Sequence, residues 1–155
     1  MEPLDAVFIK AADGSLDIYT GAQFPGQDKS AAAKELGLDP AKVRINTQLA
    51  GGSFGRRAVF GSPYMQEAAA VFKATDGSRP LKHLWTREDD IRGGFYRPMY
   101  LHRMRAAIDM DGKVTAWDQS IVGQSIMGKA TLDDTSVEGA SNLPYTIANL
   151  RSAIN

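Results

Sequence analysis

Cysteine is absent from the 155 residues, which excludes a disulfide framework, thiolate metal ligation and any iron–sulfur cluster held by this chain. Net charge is missing as well. Lys plus Arg and Asp plus Glu are 18 each, so nothing in the balance favours nucleic acid or an anionic membrane surface. No apolar run approaches the length of a membrane span, and no basic stretch followed by an apolar segment opens the chain as a secretory signal would. Histidines number two, His83 and His102. They fall on separate strand-like segments with no third ligand at a familiar spacing, so a metal centre is not expected. No serine, histidine and acid are spaced to suggest a nucleophilic triad.

What is present suffices for a folded domain, because a chain of this length buries roughly two-thirds of the surface its unfolded form exposes. Residues 4–11, an Asp13-Gly14 turn and SLDIYTG read as a β-hairpin. A helix is expected over about 28–36, with Asp28 or Ser30 as cap and Ala32, Ala33 and Leu36 on its apolar face. VRINTQL (43–49) then reads as a strand with Val43, Ile45, Thr47 and Leu49 on one face. Ser62-Pro63 opens a second helix that runs to Asp76-Gly77 and aligns Met65, Ala68, Ala69 and Phe72. LKHLWT (81–86) is a short strand, and Thr86 with Asp89 forms a capping box for a short helix ended by Arg92-Gly93-Gly94. A second hairpin spans 100–109 and 113–123 around Asp111-Gly112. The pattern is α+β with mixed or antiparallel sheet and two main helices, in two loosely similar halves of strand-strand-helix-strand and helix-strand-strand-strand. Residues 1–123 form the expected lobe, and 124–155 read as an extended, turn-rich connection.

Between the 43–49 strand and the second helix lies AGGSFGRR, Ala50 to Arg57, with three glycines in five residues closed by two arginines. Glycine admits positive φ and close backbone approach, so such a loop can aim several N–H groups at an anionic or oxo group. A tight strand-to-helix turn is the plainer alternative. Neither the P-loop ending Gly-Lys-Ser/Thr nor Gly-x-Gly-x-x-Gly is present. Elsewhere, Glu88, Asp89 and Asp90 suit a helix dipole better than a carboxylate site. Arg92, Arg97, Arg103 and Arg105 surround Phe95, Tyr96 and Tyr100 in sequence, which would make an anion-recognising wall or simply solvated faces. Trp85 and Trp117 read as core or interface anchors. The residues taken alone describe an anion-binding α+β domain, with a stand-alone anion-binding or protein-interaction module as the alternative to an enzyme part.

Several stretches in one order resemble a known family: Met1-Glu2-Pro3-Leu4, GGSFGRR (51–57), TREDD with FYRP (86–98), LHRMRAAIDMDGKVTAW (101–117) and VEGASNLPY (137–145). Together they are similar to the large subunit of molybdenum hydroxylases, the xanthine dehydrogenase and aldehyde oxidase family. The GGxFGRR loop most resembles isoquinoline 1-oxidoreductase-like β subunits. The resemblance implies one lobe of a domain that binds the molybdopterin cofactor, in its cytosine dinucleotide form in many bacteria, and an oxidoreductase that hydroxylates an aldehyde or N-heterocycle with water. It places Gly51, Gly52, Ser53, Phe54, Gly55 and Arg56 at the cofactor, with Phe54 also beside the substrate pocket. It puts the catalytic glutamate in a later segment with no counterpart here, and the iron–sulfur clusters on a small partner subunit. Ser53 stands where glycine is commoner, Arg56-Arg57 where the xanthine dehydrogenase branch has Gly-Lys, and Ala58 where that branch has an acid, so xanthine-type recognition is not expected. The chain is therefore expected to be a fragment, bacterial and from cytoplasm or periplasm. By itself it should lack cofactor and activity, and should self-associate through exposed apolar surface.

Overall fold

A computed structural model describes residues 2–126, 128 and 133–154, and the chain divides into two compact units, Met1–Tyr96 and Arg97–Asn155. The first is built on a four-stranded sheet ordered β3-β2-β1-β4 from β1 (Asp5–Lys10), β2 (Leu16–Thr20), β3 (Val43–Thr47) and β4 (Leu81–Leu84). β1 pairs antiparallel with both β2 and β4, whereas β2 and β3 are parallel. A parallel pair needs a crossover, and α1 (Pro25–Leu36) provides it. The two-residue alternation sends Ala6 and Phe8 of β1 and Leu16 and Ile18 of β2 to one buried face. Ala31, Ala32 and Ala33 of α1 and Met65, Ala68, Ala69 and Phe72 of α2 (Pro63–Ala74) cover that face. The Phe8 and Phe72 rings stack with centroids 5.3 Å apart. Small alanines on α1 let the helix lie close to the sheet, so the larger Met65 and Phe72 fill the space between.

α1 starts earlier than the expected residue 28. Pro25 occupies its first turn, and neither Asp28 nor Ser30 caps it: Phe24 stands at the N-cap without a side-chain hydrogen bond. Ser30 Oγ instead donates back to the Gly26 carbonyl at 3.0 Å, and Asp28 is fully buried. β3 ends at Thr47, so Leu49 leaves the expected strand face and is wholly exposed. The Thr86–Asp89 capping box forms as read and opens α3 (Arg87–Arg92). The two loosely similar halves are not formed, because β4 joins the first sheet beside β1.

The second unit is a three-stranded sheet ordered β5-β6-β7, from β5 (Tyr100–Ile108), β6 (Val114–Gly123) and β7 (Asn149–Ile154). The β5–β6 hairpin turns at Asp111-Gly112 as expected, with a register shift between Ala107 and Ile108. The expected extended connection is corrected at its end: residues 149–154 form β7, parallel to β6 from Ala116↔Asn149 to Ile121↔Ile154. The units part between Tyr96 and Arg97 rather than at residue 123, because β6 is the strand that gives β7 its partner. Residues 127 and 129–132 of that connection lie outside the described residues.

Candidate functional site

β2 and β3 run parallel, so the segments leaving their C-terminal ends emerge side by side. That is where open α/β sheets build ligand sites. From β2 comes Gly21 to Phe24; from β3 comes the glycine loop. Gln48 N–H donates to the Thr20 carbonyl at 2.9 Å, and a Cβ on Gly21 would sit 2.7 Å from Ala50 Cβ. The two segments are thus in van der Waals contact.

The loop's N–H groups are divided between protein and space. Gly51 N–H donates to Glu2 Oε2 at 2.9 Å, and Gly55 N–H to Gln23 Oε1 at 3.2 Å. Arg56 N–H closes a turn onto the Ser53 carbonyl at 2.9 Å. Gly52 and Ser53 N–H have no acceptor among the described residues. Gln23, with its carbonyl oxygen occupied, also leaves its Nε2 amide without an acceptor there. Backbone conformation supports the arrangement: Gly52 and Gly55 have φ of 97° and 91°, and the non-glycine Phe54 has φ of 51°. A bulky residue at positive φ costs on the order of 1–3 kcal/mol and persists where surroundings hold it, commonly at ligand sites. Its ring lies against Gly52, where an added Cβ would approach Phe54 Cε2 to 2.9 Å, and it remains 68% exposed.

The two arginines that follow have separate tasks. Arg56 turns to the end of α3: Nη2 donates to the Gly93 carbonyl at 2.8 Å, to the Asp90 carbonyl at 3.3 Å and to Asp90 Oδ1 at 3.4 Å, and Nη1 to the Phe95 carbonyl at 3.2 Å. Its guanidinium carbon is 5.4 Å from the Trp85 ring centre, and a Cβ on Gly94 would collide with it. Gly93-Gly94 is therefore an acceptor corner for Arg56 as well as a helix stop. Asp90 differs from its neighbours: Asp89 serves the capping box, whereas Asp90 is buried between Arg56 and Arg87.

Arg57 is 1% exposed. Its Nη2 donates to Asp5 Oδ1 at 2.8 Å, the Pro3 carbonyl at 2.9 Å and Glu2 Oε1 at 3.4 Å, and Nη1 donates to Thr20 Oγ1 at 3.4 Å. Glu2 therefore takes the loop's first N–H with one oxygen and its last arginine with the other. Burying a guanidinium is costly unless paired, and Asp5 and Glu2 supply the pairing. Behind it, Asp28 accepts from Ser62 Oγ and from Tyr64 OH, the latter at 2.7 Å. Burial pushes the Asp28 carboxyl above its ordinary range against those hydrogen bonds and the Arg57 charge. Burial, and then the Asp28 charge, push the Tyr64 phenol well above its own, so Tyr64 remains a donor.

Other candidates dissolve on inspection. His83 Nε2 lies 3.4 Å from Glu67 Oε1 and His102 Nδ1 3.2 Å from Gln119 Nε2; no group of three ligating side chains exists among the described residues. The arginine wall is not assembled in the second unit, since Arg103 and Arg105 alternate away from Tyr100 and face Ser120 and Asp118 in the β5–β6 register. Tyr100 OH donates to the Gln124 carbonyl at 2.8 Å. Trp85 is half-buried against the core, as one of its two expected roles requires; Phe95 and Tyr96 are exposed.

Glu2, Gln23 and Asp28 were not legible as site residues from local pattern. A signal existed for Gln23, a polar residue just past a strand parallel to the one that delivers the loop. It becomes readable only once β2 and β3 are known to be parallel.

The chain matches the molybdopterin cofactor-binding domain family over residues 1–154. It is 32% identical over 130 residues to the isoquinoline 1-oxidoreductase β subunit of Brevundimonas diminuta, covering 83% of this chain and 16% of that protein. It is also 32% identical over 148 residues to the membrane-bound aldehyde dehydrogenase [pyrroloquinoline-quinone] of Gluconacetobacter polyoxogenes, covering 94% and 18%. The fold is that of a stretch of the aldehyde oxidoreductase from Desulfovibrio gigas, with a TM-score of 0.64 at 21% identity over 97% of this chain and 16% of that one. The chain thus spans less than a fifth of the length of these relatives.

Proposed function

The chain belongs to the molybdopterin cofactor-binding domain family, and from that premise we propose that Gly51–Arg56 with Gln23 is its contact with the cofactor in a molybdenum hydroxylase. The observation that carries this is the pair of N–H groups at Gly52 and Ser53, left without acceptors among the described residues while the N–H groups of Gly51 and Gly55 are occupied. Fixed donors suit an oxygen-rich anionic group because they need no reorganisation when charge develops there. The bare Gly52 Cα makes room for the Phe54 ring, which lies against the loop beside those donors. When bound, the cofactor supplies the two-electron oxidation by which an aldehyde or N-heterocycle is hydroxylated with oxygen from water. Within this chain, Gly52, Ser53 and the Gln23 amide donate to it, and the exposed Phe54 ring bounds the substrate side and excludes water. Arg56 acts from behind, bolting the loop to residues 90–95. The cytosine dinucleotide form of the pterin, a catalytic glutamate on the remainder of the large subunit and a small iron–sulfur subunit complete the proposal.

The test is metal and pterin analysis of the complete parent complex. In that complex, Gly52→Val should remove most molybdenum or turnover, since a β-branched residue disfavours φ near 97° and strikes the Phe54 ring. Lys29→Ala should leave both unchanged. Pyrroloquinoline quinone in place of pterin, or wild-type molybdenum in Gly52→Val, would sink the assignment. Phe54→Ala should keep cofactor and change the relative rates on aldehydes and N-heterocycles. The 155-residue chain by itself should carry no molybdenum, because one loop offers too little surplus binding energy over the cost of ordering a large ligand.

A further inference from the structure

The first turn of α1 grips the segment that leaves the glycine loop. Gln27 Oε1 accepts from Gly61 N–H, and Gln66 Nε2 donates to the carbonyl of the same glycine at 2.6 Å. One helical position further, Asp28 accepts from Ser62 Oγ with one oxygen and from Tyr64 OH with the other, at 2.7 Å. Asp28 is fully buried on the inner face of α1 beside Ala31 and Ala32. A carboxylate there is a costly way to pack a helix, and its place is secured because both oxygens are taken by the buried Ser62 and Tyr64 hydroxyls, which an apolar residue would leave without an acceptor. Ser62 is also unusual: it has φ of 50° and stands at the N-cap of α2 without capping it. Its hydroxyl is committed to Asp28 instead.

The backbone between the loop and Ser62 has little slack. Arg56 N–H donates to the Ser53 carbonyl at 2.9 Å, Ala58 to Gly55 at 3.0 Å, Ser62 to Val59 at 2.9 Å and Met65 to Ser62 at 3.0 Å. Successive tight turns therefore run from the loop into α2, and a displacement of Ser62 is passed back to Gly55 and then to Ser53. We propose that Asp28 is a positioning residue which, by holding Ser62 and Tyr64, sets where Gly52 and Ser53 present their N–H groups. The consequence for cofactor binding rests on the proposed function; the geometric claim stands without it.

Protonation supplies a readout that packing alone would not move. Asp28 is faced by Tyr64 from α2 and by Arg57 from the turn after the loop, with Glu2 and Asp5 on the far side of Arg57. A protonated Asp28 turns one acceptor into a donor and can no longer accept from both hydroxyls, and Asp28→Asn fixes that condition at every pH.

The experiment is amide NMR on the full 155-residue chain, comparing wild type with Asp28→Asn, Ser62→Ala and Tyr64→Phe. Asp28→Asn and Ser62→Ala should move the Gly52 and Ser53 resonances and speed exchange at Gly55 and Gly61 roughly tenfold, the scale of one lost buried hydrogen bond. β1 and β2 amides should keep wild-type rates. In wild type the Gly52 and Ser53 shifts should titrate above the ordinary carboxylate range, and Asp28→Asn should abolish that titration. Unmoved loop resonances, or exchange that quickens uniformly in loop and strands, would overturn the proposal. If Asp28→Asn does not fold, Ser62→Ala and Tyr64→Phe, each removing a single hydroxyl, decide it by the same criteria. Failure of the cofactor assignment reads out separately, as wild-type molybdenum in the Gly52→Val parent alongside a responsive loop in this chain.

Discussion

Among the described residues, every buried apolar side chain except Ile121 belongs to residues 1–96, although β5 and β6 are the longest strands of the chain. In the first unit α1 and α2 lay Ala31–Ala33, Met65, Ala68 and Phe72 over the sheet. The second unit contains no α-helix among its described residues. Its register still gives two faces of different character: His102, Met104 and Ala106 share one with Trp117, Gln119 and Ile121 and with Leu150 and Ile154, while Arg103, Arg105, Asp118, Ser120 and Arg151 take the other together with Leu101 and Val122. Met104 is 54% and Leu150 45% exposed on the apolar face. Alternation marks a face for burial without supplying the cover, and a parallel strand pair such as β6–β7 ordinarily has both faces covered.

Five variants would break or sharpen this contrast. Phe8→Ala in the first unit should cost about 3–5 kcal/mol, because a fully buried ring stacked on Phe72 leaves a cavity the rigid sheet cannot close. A loss under about 1 kcal/mol in chemical denaturation would mean that the helices do not pack as described. Ile121→Ala should cost about 2 kcal/mol, the low end of the range for such truncations, because its cross-strand partners, the exposed His102 and the half-buried Ile154, can relax. A cost equal to that of Phe8→Ala would erase the distinction between the units.

Met104→Ser should change stability by no more than about 0.5 kcal/mol, yet weaken self-association of the chain by light scattering across concentration. Phe95→Ser with Tyr96→Ser should do likewise for the exposed aromatic pair. A wild-type chain that stays strictly monomeric at high concentration would remove the argument that exposed apolar surface drives association. The smallest effect is electrostatic. Hydrogen bonds from Arg44, at 2.8 Å, and then from Asn46 hold the Asp17 carboxyl down to about 2. Its folded value lies below its unfolded value, so its contribution is present above about pH 4 and is lost as pH falls toward 2. Asp17→Asn should flatten the stability profile in that window alone; an identical acid limb in the variant would show that Arg44 gives Asp17 nothing in solution.

Much of the fold follows from local chemistry. The two hairpins form at Asp13-Gly14 and Asp111-Gly112, the α2 face is Met65, Ala68, Ala69 and Phe72, and Thr86 with Asp89 makes its box. Periodicity, turn residues and caps act over a few positions, so they are visible in a string of letters. The glycine loop was equally visible, because three glycines in five residues announce unusual backbone. Its division of labour was not. Arg56 and Arg57 are neighbours of one type, and only the fold sends one to the Gly93 carbonyl and the other to Asp5. Asp28 looked like a helix cap until its burial against Ser62 and Tyr64 was known.

The sequence by itself determined strands β1 to β6, the helices and the place of the glycine loop, since each depends on residues that lie next to one another. Tertiary structure decided that β2 and β3 are parallel, which brings Gln23 to Gly55, and that Glu2 meets Gly51 across 49 positions. It alone left Gly52 and Ser53 with N–H groups unclaimed among the described residues. Whether a donor is free depends on every acceptor that reaches it, and those acceptors are gathered from distant parts of the chain only when it folds.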